Sequence, residues 1–168
     1  MLLWHFPLRR LDAEPVWDSV MSAAGELDPA VGGPSFDVGG GARRRAAYMV
    51  RGYSTSRDVT PTFLQAFDVE DGRAPCPVRN QTVTAPQALF MMNSPQVENA
   101  SAQFAKRVAA EAKGDLKTTT DLAFRYALGR PPTDAEAARA AEYLASDATR
   151  MKGLAWLLFN LDEFLYVK

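Results

Sequence analysis

The sequence predicts a mainly α protein, a helical bundle with a loop-rich N-terminal half and at most a short β element. Three observations carry that expectation. From Pro95 onward apolar residues recur at helical spacing between strong start and stop signals. From Asp28 to Ala42 glycine and proline interrupt every regular pattern. Strand-like composition is confined to one short stretch, Arg45 to Tyr53.

Taken in order, Leu11 to Ala24 reads as the first helix. Asp12 is placed to cap it, Pro15 is tolerated in its first turn, and Val16, Trp17, Val20 and Met21 share one side. Gly25 can end it, and the acids Asp12, Glu14 and Asp18 fall in its first turns, where negative charge suits the helix dipole. The next stretch, DPAVGGPSFDVGGGA, contains two glycine runs but neither Gly-Lys-Ser/Thr nor G-x-G-x-x-G. It reads as a flexible surface loop, and the adjoining Arg43-Arg44-Arg45 as its solvated end. Arg45 to Tyr53 offers Tyr48, Val50 and Tyr53 to a half-buried strand, with a helix as the alternative. Thr60 then caps a second helix that has Pro61 in its first turn and directs Phe63, Leu64 and Phe67 to the core.

Asp68 to Pro77 is a loop whose acids Asp68, Glu70 and Asp71 lack the spacing and closing glutamate of a calcium site. Cys76 to Asn99 reads as a corner between buried elements. Ala85-Pro86 opens a short helix, and Asn93-Ser94-Pro95 closes it and starts another, with Ser94 as the cap and Pro95 first in the helix. That next helix runs to Lys113 with Val97, Ala100, Ser101, Phe104, Val108 and Ala112 on one face, and Gly114 ends it. A further helix starts at Thr120 or Asp121, is apolar nearly all round to Leu128, and belongs in the centre. Gly129 stops it. Thr133 and Glu136 form a T-x-x-E capping box for an alanine-rich helix to about Ser146. The last helix, about Thr149 to Leu165, has one stripe of Met151, Leu154, Leu158, Leu161 and Leu165, while Trp156 and Phe159 face elsewhere. Two apolar faces imply two neighbours, one of them a missing segment or a partner domain.

Composition narrows function mostly by exclusion. A chain of 168 residues, 47% hydrophobic and 23% charged, fits one soluble domain, 1-168. A net charge of -1 gives no electrostatic case for nucleic acid. The single cysteine, Cys76, rules out an internal disulfide and a thiolate zinc site, and no histidine stands near it in sequence to activate it. His5 is the sole histidine, so no histidine-based metal motif or triad can be assembled. No C-x-x-C-H haem attachment occurs. No cofactor and no metal are therefore expected. The apolar patch Leu2, Leu3, Trp4, Phe6 is not built as a signal peptide, because its arginines follow it, and no apolar run approaches the roughly 18 residues of a membrane span. Those four side chains are expected to pack on the body of the fold or to dimerise.

The corner also carries a resemblance. Arg79, Thr82, Pro86, Gln87-Ala88-Leu89-Phe90 and Asn93-Ser94-Pro95 resemble the R-x-x-T...P-Q-A-L-x-L-x-N-x-P signature of the planctomycete-type domain of unknown function 1553, also called planctomycete surface domain one. Upstream, Arg9-Arg10-Leu11-Asp12, Gly25-Glu26-Leu27-Asp28 and Phe67-Asp68 extend it; downstream, Tyr126-Ala127-Leu128-Gly129-Arg130-Pro131-Pro132-Thr133 and Glu163-Phe164 do. The resemblance implies that the chain is the C-terminal portion of a longer domain, in an exported, periplasmic or cell-surface protein. It also implies a preceding domain or a haem-containing module of the same parent as the partner.

The signature's polar residues, Arg79, Thr82, Gln87 and Asn93, together with Asn99, admit two readings. They either satisfy backbone groups at a buried corner or line a cleft for a polar ligand such as a glycan. The first is the expectation, and with it a non-catalytic structural or protein-interaction module with no catalytic residues. The rival is a carbohydrate-binding or polysaccharide-hydrolysing domain using carboxylates from Asp12, Glu14, Asp18 or Asp68, two of which would have to face one cleft about 5 to 10 Å apart.

Overall fold

The computed structural model describes residues 8–41, 43–54, 57–58, 60–69 and 82–167. Among them are eight α-helices and two ladders of two antiparallel strands, so the protein is mainly α. In chain order these are β1 (Arg9–Arg10), α1 (Ala13–Ala24), β2 (Tyr53–Ser54), β3 (Arg57–Asp58), α2 (Thr62–Ala66), α3 (Ala85–Asn93), α4 (Pro95–Ala112), α5 (Leu116–Leu128), α6 (Asp134–Ala145), α7 (Met151–Phe159), α8 (Asp162–Leu165) and β4 (Tyr166–Val167). Short 3-10 turns lie at Val38–Gly40, Ala46–Tyr48 and Ala148–Arg150. The early strand β1 pairs with the last, Arg9 opposite Val167 and Arg10 opposite Tyr166, and Leu11 N–H donates to Leu165 O at 2.8 Å.

The centre is α4, which packs against α1, α5 and α7. Its apolar face is the expected one: Val97, Ala100, Ser101, Phe104, Val108 and Ala112 are all buried. Ser101 fits there because its hydroxyl donates to Val97 O at 2.8 Å, one turn back. Phe104 meets Phe159 edge-on with ring centroids 5.4 Å apart, and Phe159 in turn packs on Phe164 at 5.1 Å. Phe63 joins Trp17, Phe67 and Phe90 in a second aromatic group between α1, α2 and α3. Full burial of a phenylalanine ring, as at Phe104 and Phe159, stabilises the fold by about 1.5–3 kcal/mol.

Three of the start and stop signals work as expected. Ser94 accepts from Val97 N–H with Pro95 first in α4, and Thr133 and Glu136 close their capping box at α6. Gly25, in the left-handed region at φ 75°, ends α1. Arg107 then donates to the terminal carbonyls of Ser22 and Ala23 at 3.0 Å each, while its guanidinium lies over Tyr126, 3.9 Å from the ring centroid.

Several expectations are corrected. The stretch from Arg45 to Tyr53 is not a strand: it begins with the 3-10 turn at Ala46–Tyr48, and only Tyr53–Ser54 pairs, in a hairpin with Arg57–Asp58. Asp18 explains the turn, since its Oδ1 accepts from Ala46 N–H at 2.8 Å. The glycine-rich stretch is the expected surface loop, and one arginine anchors it. Arg44 donates to the carbonyls of Gly32 and Pro34 and stacks on Tyr48, whose hydroxyl accepts from Gly32 N–H at 2.8 Å. The arginine triplet stays partly solvated but is also paired, Arg43 with Glu26 at 3.2 Å and Arg45 with Asp18 at 2.9 Å.

Thr60 does not cap α2; it is buried, and its hydroxyl accepts from Gly52 N–H at 3.0 Å. Asp115, not Thr120 or Asp121, caps α5, accepting from Thr118 N–H at 2.8 Å. Thr120 instead lies inside that helix, donating to Leu116 O at 3.0 Å. The last helix is broken at Asn160–Leu161 into α7 and α8. Its second apolar face finds neighbours within the chain: Phe159 is fully buried, and Trp156 reaches α3. The expectations on Leu2, Leu3, Trp4, His5, Phe6, Glu70, Asp71, Cys76 and Arg79 fall outside the described residues.

Candidate functional site

The signature glutamine lies in a polar knot at the N-terminal end of α3. Gln87 is 4% exposed although it belongs to a helix whose other turns are mostly open. Its carbonyl end accepts from Thr84 N–H at 3.1 Å, half of a capping box that needs glutamine or glutamate three residues into the helix. The same oxygen accepts from the Arg10 guanidinium. Its amide end donates to Asp68 Oδ2 at 3.0 Å and lies 3.3 Å from the Thr82 hydroxyl.

Asp68 is the hub. It follows α2 with φ 62°, a left-handed conformation that aspartate adopts more readily than most residues. One carboxylate thereby accepts from Thr82 N–H at 3.0 Å, the Thr82 hydroxyl at 2.8 Å and Gln87, and faces Arg10 at 3.7 Å. The Arg10 side chain is 10% exposed, with its guanidinium 5.3 Å from the Phe67 ring centroid. Arg10, Asp68, Thr82 and Gln87, from three separate parts of the chain, therefore tie β1, the end of α2 and the start of α3 together, and no buried side-chain N or O among the described residues lacks a partner.

Of the signature residues, Thr82 and Gln87 come together. Asn93, at the far end of α3, is exposed and borders two surface grooves; Asn99 is exposed and lines another. Sequence reasoning did not join Arg10 to the knot, since nothing local links residue 10 to residue 87. Asp68 stands in the sequence as a loop acid, a part of the family resemblance and a candidate carboxylate, but nothing local ties it to Gln87.

The rival carboxylates are placed as follows. Asp12 lies 3.9 Å from Arg9. Glu14 and Asp18 line a cleft of about 720 Å³ together with Glu163, Arg45 and Tyr126, over an apolar floor that includes Leu128 and Phe164. Both oxygens of Asp18 are engaged, by Arg45 and by Ala46 N–H. Both oxygens of Glu163 accept from Arg130 at 2.7 Å. Asp68 lies in the polar knot and does not line this cleft.

Arg130 also grips Glu136 through two bonds of 2.8 and 2.9 Å. That guanidinium, helped by Thr133 N–H, holds the Glu136 carboxyl down to about 2 from 4.5, and the two glutamates raise Arg130 above its ordinary value. The pattern L-G-R-P-P-T is thus an arginine clamp: it joins the α5–α6 turn to α8 by pairing with acids on both sides. Among the described residues no group of His, Cys, Asp and Glu could hold a metal ion, and no helix is long and apolar enough to cross a membrane.

The family model PSD1, described as a protein of unknown function (DUF1553), matches residues 1–144. The chain belongs to the PSD1 family. No curated protein and no solved structure matches it. The PSD1 match ends within α6, yet the fold also depends on residues beyond it: Leu154, Ala155, Leu158 and Phe159 of α7 are in the core, and β4 pairs with β1.

Proposed function

We propose that this PSD1 chain is a non-catalytic structural or protein-interaction module of an exported or cell-surface, planctomycete-type protein. Its partner would be a preceding domain or haem-containing module of the parent. The location and the partner rest on the family resemblance. The absence of a reaction is supported by one observation above all: Gln87 is buried with both ends of its amide engaged by Arg10, Asp68, Thr82 and Thr84. Buried polar groups bonded to one another rigidify a corner, and the Gln87 amide keeps no free donor or acceptor for a substrate.

A second reading, polysaccharide binding or hydrolysis, draws on the cleft where Glu14, Asp18 and Glu163 meet. A glycosidase needs one carboxyl to give up a proton and a second to attack or to activate water. Asp18 already has its two oxygens bonded to Arg45 and to Ala46 N–H, and Glu163 has both bonded to Arg130. The test is release of reducing ends from a panel of polysaccharides. No release by the protein is expected. Release that disappears in Glu14→Gln or Asp18→Asn would overturn the module reading.

A further inference from the structure

The elements α8 and β4, Asp162–Val167, are tied to the body by a ring, an ion pair and a short ladder. The Phe164 ring, 7% exposed, packs on Phe159 with centroids 5.1 Å apart, and Leu165 beside it is half-buried. Both oxygens of Glu163 accept from Arg130 at 2.7 Å. β4 pairs with β1, and Leu165 O accepts from Leu11 N–H at 2.8 Å. α8 is four residues long, too short to hold its shape undocked, so these contacts are lost together rather than one at a time.

Each of the three docking points is held in place by the body alone. Arg130 is gripped by Glu136 through bonds of 2.8 and 2.9 Å and donates to Pro131 O at 3.1 Å, so its guanidinium is aimed whether or not Glu163 is there. Phe159 is fixed on another side by Phe104, edge-on at 5.4 Å. β1 is anchored through Arg10, which donates to Gln87 and lies 3.7 Å from Asp68. The preceding helix also ends without help from α8. The Asn160 side-chain amide donates to Trp156 O at 2.8 Å, Asn160 N–H to Leu157 O at 3.0 Å and Leu161 N–H to Leu158 O at 3.3 Å. The last carbonyls of α7 are thus satisfied at the Asn160–Leu161 break itself. Preformed docking points make closing cheap, and a helix that is already terminated keeps any opening from spreading into α7.

We infer that Asp162–Val167 is a strap that leaves the body and returns to it as one unit about the Asn160–Leu161 break, with Arg130 as its catch. Glu163 and Phe164 line the cleft of about 720 Å³ together with Glu14, Asp18 and Ser19 of α1. Release of the strap therefore removes one wall of that cleft and bares the side of the Phe159 ring that Phe164 covers. The closed state is a bounded cleft with three carboxylates; the open state is a wider hollow with one carboxylate fewer and an aromatic face at its edge. The strap works in the same way whatever the cleft receives, so it stands apart from the choice between an interaction module and a sugar-binding one.

The experiment is native-state hydrogen exchange of the ¹⁵N-labelled full chain, followed by NMR at low urea concentrations. Leu11 N–H is the informative probe, because it lies outside the strap and its acceptor lies on it. The amides of Leu11, Phe164 and Leu165 are expected to share one protection factor, at least about a hundredfold below those of Phe104 in α4 and Phe159 in α7. Glu163→Gln, at a side chain that is 35% exposed, is expected to lower all three by about tenfold and to leave Phe104 and Phe159 unchanged. Protection of the three amides equal to that of Phe104 would mean that the strap leaves only when the whole chain unfolds, and would overturn the inference. Unequal protection among the three, the pattern of a fraying end, would overturn it as well. So would a Glu163→Gln protein in which the three amides do not change, or in which Phe104 loses as much protection as Leu11.

Discussion

Replacing Gln87 by leucine keeps the size of a side chain that is 4% exposed and removes every bond the amide makes. Two of those bonds go to charged partners, Asp68 and Arg10. Bonds of that kind contribute about 1.5–3 kcal/mol each. The Arg10 and Asp68 side chains are 10% and 21% exposed, so water recovers part of the loss and the lower end applies. Loss of the capping bond to Thr84 adds about 1 kcal/mol, and the leucine methyls return about as much. The net expectation is a loss of about 3 kcal/mol. For a domain of this size that lowers Tm by about 6–12 °C. Thermal unfolding followed by circular dichroism measures it, with Asn93→Ala as the exposed control from the same signature, expected within about 0.5 kcal/mol of the parent. A Gln87→Leu protein as stable as the parent, or an Asn93→Ala protein equally damaged, would refute the reasoning.

Other outcomes rest on the same geometry. The Glu136 carboxyl is held to about 2 against an ordinary 4.5, so its contribution is complete above 4.5 and is lost as pH falls toward 2. Across that window Tm should fall less steeply in Glu136→Gln than in the parent. Arg44→Ala should strip the loop carbonyls of Gly32 and Pro34 of their donor and speed hydrogen exchange at Gly32 N–H, at a stability cost of about 1–2 kcal/mol read from urea unfolding. Phe159→Ala should cost about 3–5 kcal/mol by the same measurement, because the ring is fully buried between Phe104 and Phe164. Leu157→Ala, at 51% exposure, should cost less than about 0.5 kcal/mol.

What could be read from the sequence was what is local. The face of α4, the Ser94 cap and the Thr133–Glu136 capping box depend on residues within one or two turns, and their positions matched the structure. The break at Asn160 was hidden because the leucines on both sides keep a helical period while the chain turns toward β1. The order in the glycine-rich loop was hidden because one residue creates it from a distance: Arg44 reaches back to carbonyls at 32 and 34. The Arg10–Asp68–Gln87 knot was hidden for the same reason, spanning 77 residues between Arg10 and Gln87.

The central claim is that the polar residues of the knot bind one another. A double-mutant cycle on Asp68→Asn and Gln87→Leu, read by urea unfolding, tests it most directly. Because the two side chains share a bond of 3.0 Å, the double variant should be less destabilised than the sum of the singles, by about 1–2 kcal/mol. Losses that add to within about 0.3 kcal/mol would mean that the two residues do not support each other, and would contradict the claim.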